Sequence, residues 1–128
     1  MERKLISSGS PFEPKIGFSR AVRVGPHIAV SGTAPIAPGG GVACPGDLYG
    51  QTLRCLEIIE KALHDAGAKR EHVIRTRVFL KSMSNWEDAG RAHGEFFKDI
   101  RPASTMIQIV QAIDPGWLVE IEADAIVN

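Results

Sequence analysis

The chain has 128 residues, 44% of them hydrophobic and 23% charged, with fifteen basic side chains balancing fifteen acidic ones. That length suits one domain burying about two thirds of its unfolded surface, and the balanced charge supplies no overall field for nucleic acid or an anionic membrane. The opening Met1 to Gly9 lacks the apolar stretch of a signal peptide, and no run approaches the roughly 18 apolar residues that cross a bilayer, so a cytoplasmic protein is expected.

Residues 1–17 carry Pro11, Pro14 and Gly17 without periodicity and read as an extended arm. Arg20–Val24 and His27–Ser31 are strand-like and flank Gly25-Pro26, which predicts a hairpin. From Thr33 to Gly46 the chain holds four glycines and three prolines, too many breakers for regular structure, and reads as a rim or lid. Its Gly39-Gly40-Gly41 run matches neither the Walker pattern nor GxGxxG, so it gives no phosphate loop.

Asp47 is placed to cap a helix in which Leu53, Leu56, Ile59, Leu63 and Ala66 recur at three- and four-residue intervals before Gly67 stops it. Arg54, Glu57, Lys61 and His64 fall on its other side, which places His64 in solvent. Val73–Lys81 reads as a strand, with Ile74, Thr76, Val78 and Leu80 on one face and Val73, Arg75, Arg77, Phe79 and Lys81 on the other. Ser84-Asn-Trp-Glu87 has the form of a capping box, and Trp86, Ala89, His93, Phe96 and Phe97 then share one face of a second helix. His93 therefore points inward, either as a hydrogen-bonded core residue or as part of a pocket wall.

After Pro102 come two further strands. In the last, Val119, Ile121, Ala123 and Ala125 alternate with Glu120, Glu122 and Asp124, so three carboxylates share one face. Such a face is wet, paired with cations, or shaped into a site. Arg75 and Arg77 are the expected ion-pair partners across a ladder.

The resulting order, ββαβαββ, suits an α+β domain with both helices on one side of a single sheet. Ile28, Val30, Ile107, Ile109, Val119 and Ile121 are then expected to leave an apolar opposite face, which self-association would cover. Cys44 and Cys55 read as free thiols rather than a disulfide. The four histidines lack the spacing of a zinc helix, so no metal is expected.

The stretches Ile16-Gly-Phe-Ser-Arg-Ala-Val22, Val30-Ser-Gly-Thr33, Thr76-Arg-Val-Phe-Leu80, Phe96-Phe97, Arg101-Pro-Ala103 and Val119-Glu-Ile-Glu-Ala123 occur in the order and spacing of the RidA family, also called YjgF or L-PSP, which the chain resembles over nearly its whole length. The resemblance implies a chorismate-mutase-like fold and a homotrimer with a barrel-like centre, whose subunit clefts hold small-molecule sites. It also implies hydrolysis of reactive enamines and imines to carbonyl products and ammonia, without metal or cofactor.

Carried over by position, Glu120 is the catalytic candidate, and Phe18, Ser31, Gly32, Gly90, His93, Ser104, Thr105 and Met106 are the substrate-binding candidates. The sequence departs from the family pattern at several of these. Ser104 stands where an arginine forks onto the substrate carboxylate, and a neutral hydrogen bond in its place would cost about 2–3 kcal/mol of affinity for a 2-imino acid. Phe18 replaces a tyrosine, Gly90 an asparagine and Met106 a cysteine. Arg20, Arg91 and Arg101 lie near pocket positions as candidate substitute cations. The expected function is therefore a RidA-like hydrolase with altered substrate preference. The alternative is a trimeric metabolite-binding protein without turnover. RNA cleavage, a third reading attached to some relatives, is disfavoured by the neutral charge, the single tyrosine and the lack of paired histidines.

Overall fold

The computed structural model describes all residues, Met1 to Asn128. Six strands form one sheet: β1 (Arg3–Ile6), β2 (Ala21–Val24), β3 (His27–Thr33), β4 (Val73–Leu80), β5 (Ala103–Gln108) and β6 (Val119–Ile126). Their order across the sheet is β1-β2-β3-β6-β4-β5, and every pairing is antiparallel except β4 with β5. The helices are α1 (Phe12–Ile16), α2 (Leu48–Asp65) and α3 (Trp86–Phe96), with a turn of 3-10 helix at Arg70–His72.

The N-terminal arm is a correction to the expected extended segment. Arg3–Ile6 pairs with β2 from Arg3 opposite Val24 to Ile6 opposite Ala21. A four-residue edge strand takes its register from the neighbour that completes its hydrogen bonds, and it carries no periodic signal of its own. Pro14 sits within the first turn of α1, where its missing N–H costs nothing, and Gly17 ends the helix at φ 91°.

The β2–β3 hairpin turns at Gly25-Pro26 as the sequence suggests. In α2, Asp47 accepts a hydrogen bond from the Gly50 amide, and Leu56, Ile59, Ala62 and Leu63 are buried. This helix crosses β3 and β6 and packs beside α3, so the core lies between the helices and one face of the sheet.

Three expectations need revision. The capping box at Ser84 does not form: Asn85 is the N-cap and makes no side-chain bond, because the Ser84 amide is taken by Ser82 Oγ. Trp86 is consequently 48% exposed rather than inward. On β4 a register shift between Val73 and Arg75 buries Val73 with Thr76, Val78 and Leu80 and turns Ile74 outward. A bulge of this kind reverses the alternation on one side of it.

The apolar far face is the third revision. Ile28, Val30, Val119 and Ile121 all lie under the helices, and of the six expected there only Ile107, 47% exposed and level with Glu120, stands on the far face, with Ile109 half-buried past the end of β5. The opposite face carries Glu120, Glu122 and Asp124 of β6, paired in register with Phe79, Arg77 and Arg75 of β4. Arg77 reaches Glu122 at 3.0 Å and Asp124 at 3.4 Å, as expected, whereas Arg75 has no ion-pair partner. No helix is long and apolar enough to cross a membrane.

Candidate functional site

The ladder between β3 and β6 shifts register between Val30 and Thr33, and this irregularity brings Gly32 beside Glu120. A Cβ on Gly32 would lie 3.5 Å from Glu120 Oε1, so the glycine leaves one carboxylate oxygen uncovered by side chain. Bulges commonly re-aim side chains next to functional sites. Ser31, the residue before, donates its hydroxyl hydrogen to the Ser19 carbonyl at 2.6 Å and keeps its oxygen lone pairs.

Glu120, Gly32, Phe18 and Arg20 line a cavity of about 990 Å³. Its remaining walls come from residues 7–12 of the arm, from the 36–41 loop and from the flank of α2. The loop thus forms the rim that its composition suggested. Gly39, Gly40 and Gly41 have φ of 86°, 105° and 79°, a succession of left-handed values that side chains resist.

Burial pushes the Glu120 carboxyl above the usual carboxylate range. The positive charge of Arg20 offsets this only in part, and the nearby Glu122 adds to the rise. Arg20 itself is 6% exposed. Its Nη1 donates to the Gly32 carbonyl at 2.7 Å and to Thr33 Oγ1 at 3.1 Å, and its Nε donates to Ser8 Oγ at 3.1 Å. Ser8 Oγ in turn donates to Glu13 Oε2 at 2.7 Å, and that oxygen also accepts from the Ser8 and Ser10 amides. Burial pushes the Glu13 carboxyl up, but hydrogen bonds from Ser8, Ser7 and Ser10 together outweigh it and hold the group below its ordinary range. This chain of contacts clips the arm over the cavity. Phe18 places its ring 5.5 Å from the Arg20 guanidinium carbon, a cation–π contact.

The other candidates form a second group. Thr76, fully buried on β4, donates to Ser104 Oγ at 2.8 Å and lies 2.8 Å from His93 Nε2. With the threonine hydrogen directed to Ser104, the imidazole Nε2 is the donor of that contact. Burial holds His93 below its ordinary pKa, so the ring is neutral, and it packs 4.8 Å from Phe97. Met106 packs against the core and Gly90 against Trp86, while Thr105 lies exposed in register with Arg77. Within one subunit this group does not meet Glu120. Ser104 is three residues along β5 from Ile107, the position level with Glu120, which amounts to about 10 Å along the strand, and β4 lies between.

Trp117 was not foreseen in either group. It lines the cavity, meets Phe12 edge to face with centroids 6.1 Å apart, and buries an indole N–H with no acceptor. Of the three arginines near pocket positions, only Arg20 lines the cavity. Arg91 stacks over Tyr49 and Arg101 is exposed. His64 and His72, distant in sequence, both line a shallow depression with Glu60, Lys69 and Arg70. His72 Nδ1 there accepts from the Lys69 amide. No three His, Cys, Asp or Glu side chains converge as metal ligands. Cys44 and Cys55 are free, and burial pushes the Cys55 thiol far up, which makes it inert.

Residues 9–127 match the model of the family described as "Endoribonuclease L-PSP". The chain belongs to the RidA/YjgF/L-PSP family. Among its relatives is an uncharacterized protein of Streptomyces coelicolor, 38% identical over 94% of this chain and 89% of that one. The crystal structure of a Mycobacterium tuberculosis member of the YjgF/YER057c/UK114 family is similar with TM-score 0.89 and 43% identity, covering 98% of this chain and 100% of that one. A mouse 2-iminobutanoate/2-iminopropanoate deaminase is 29% identical over 97% of this chain and 91% of its own. An Acinetobacter baylyi 3-aminoacrylate deaminase is 28% identical over 94% of both. The RidA family thus includes enamine and imine deaminases, and the α+β fold inferred from the strand and helix order is the family's fold.

Proposed function

We propose that the protein hydrolyses small reactive imines and enamines to carbonyl compounds and ammonia, with Glu120 as its acid–base group. The observation that carries this reading is a carboxylate with raised pKa, one oxygen uncovered beside Gly32, on the wall of a cavity large enough for a small metabolite. Activities named for two relatives, on 3-aminoacrylate and on 2-iminobutanoate, support the reaction class.

The chemistry balances without an oxidant. Water attacks the imine carbon as Glu120 takes one of its protons. The carbon–nitrogen π pair moves to nitrogen, which is protonated in turn. The carbon–nitrogen bond then breaks, so that R₂C=NH and H₂O become R₂C=O and NH₃. A group whose pKa is raised toward neutrality exchanges protons more readily in both directions than one held near 4. An enamine enters after protonation at carbon gives its imine tautomer.

The site is completed between copies of the chain in a homotrimer. The edge strand β5 of one subunit would bring Ser104 and Thr105 toward the Glu120 cavity of the next, which reconciles the two separated groups of candidate residues. Ser104 in place of the family arginine supports an altered substrate preference. Generating 2-iminobutanoate and a neutral imine in situ and following ammonia release tests the reading. Catalysed release that Glu120→Gln removes supports it. Binding of the products without acceleration of either reaction would leave a metabolite-binding protein instead.

A further inference from the structure

Arg20 has five N–H donors, and three of them meet Ser8, Gly32 and Thr33. The two on Nη2 meet no protein acceptor. They are not sealed in, because the Trp117 indole nitrogen is the sole fully buried side-chain polar atom left without a partner. Arg20 lines the same cavity as Glu120, and no carboxylate lies within 4.0 Å of it.

Glu13, reached through Ser8 Oγ, and Glu120, in the same cavity, offset the burial of Arg20 only in part, so the cation stays costly unless a ligand supplies a direct partner. Its placement is also fixed in advance. Ser8 anchors Nε, the Gly32 carbonyl anchors Nη1, and the guanidinium carbon sits 5.5 Å from the centre of the Phe18 ring. A guanidinium held this way offers its free edge to a planar oxyanion with little ordering left to do. The Gly32 backbone links the two charges, since its carbonyl receives Arg20 while its Cα faces Glu120 Oε1.

We propose that Arg20 is the anion anchor of this cavity, receiving through Nη2 the carboxylate of a small 2-imino or 2-oxo acid whose adjoining carbon faces Glu120. This assignment rests on the hydrolase reading for the reacting carbon, but not for the binding itself. It places the cationic partner of the substrate inside the subunit that carries the glutamate, and it gives Phe18 a purpose its lost hydroxyl does not: a face for the guanidinium. It also makes the loss of arginine at position 104 tolerable for acidic substrates.

The decisive measurement compares the wild-type protein's affinity for 2-oxobutanoate with that for 2-oxobutanamide, a neutral molecule of the same shape, by titration calorimetry. At least tenfold tighter binding of the acid is expected, and equal affinities would overturn the proposal. Arg20→Gln is expected to weaken the acid at least tenfold and shift the amide less than threefold, with Arg20→Lys intermediate because charge survives without the fork. Should Arg20→Gln fail to fold, which circular dichroism would reveal, the wild-type acid–amide comparison still decides. A protein that binds the acid through Arg20 yet releases no ammonia keeps the anchor and loses the hydrolase reading. Turnover with undiminished preference for acids in Arg20→Gln keeps the reading and removes the anchor.

Discussion

The wall around Glu120 and the cluster around Thr76 are built from opposite principles. At Glu120 a carboxylate and a guanidinium share a cavity without touching, one oxygen and two N–H donors are left free, and burial destabilises both charges. At Thr76 a hydroxyl links a neutral imidazole to a serine, and each short contact satisfies its partner. The first arrangement holds unsatisfied charge where a ligand can enter, and the second converts buried polarity into fixed geometry. On the proposed reading the chemistry belongs to the first, while the second ties Ser104 on the edge strand to the buried Thr76.

The largest effect that can break this contrast is on rate. Glu120→Gln is expected to lower kcat/KM for imine hydrolysis by about 100-fold or more, the range for removing an acid–base group. The same substitution raises stability at neutral pH, because glutamine cannot bear the charge that burial disfavours. A variant both slower and more resistant to urea would mark a functional group held at a stability cost. A slower and weaker one would make Glu120 a structural residue. Thr76→Val, nearly identical in shape, should instead destabilise by roughly 1–3 kcal/mol in urea unfolding, since it strands the His93 donor and removes the hydrogen bond to Ser104. A neutral outcome would show that the cluster carries no such role.

Much of the second region was legible in the sequence, and the decisive part of the first was not. Helical spacing turned His93 inward, and the alternation from Val119 to Ala125 put Glu120 on the face away from the core, because both are periodic signals that short-range geometry imposes. Arg20 attracted notice only by its nearness to pocket positions. Its burial depends on Ser8 and Glu13 folding back in an arm that reads as merely extended, and such long-range closure leaves no local pattern. The false capping box at Ser84 and the misassigned Val73 and Ile74 have a related cause: a neighbouring hydroxyl or a one-residue register shift overrides the local rule.

Smaller effects sharpen the contrast along β6, whose three carboxylates occupy different settings. Glu122 and Asp124 both face Arg77 at the surface. Arg77→Met should therefore cost a few tenths to about 1 kcal/mol, a loss that shrinks in high salt, because exposed pairs are screened. A larger, salt-independent loss would mean that this face is buried against another copy of the chain, as the proposed trimer requires.

The gentlest test uses pH, because Glu120 and His93 both favour their neutral forms but reach them from opposite directions. Glu120 has a folded pKa raised above its ordinary 4.5, so the fold binds its proton more tightly than the unfolded chain does. Its favourable contribution is complete below 4.5 and is lost as pH rises through the raised value. His93 is depressed below its ordinary 6.5, so its contribution is complete above 6.5 and is lost as pH falls through the depressed value. Urea midpoints from pH 4 to 8 at one protein concentration should then separate the two regions. The advantage of Glu120→Gln over the wild type should grow with rising pH, while wild type should lose ground against His93→Gln as pH falls below 6.5. Parallel curves for wild type and both variants would mean that neither group feels its burial. Two curves bending the same way would place the carboxylate and the imidazole in similar surroundings, and the division between a charged cavity wall and a neutral hydrogen-bonded cluster would no longer hold.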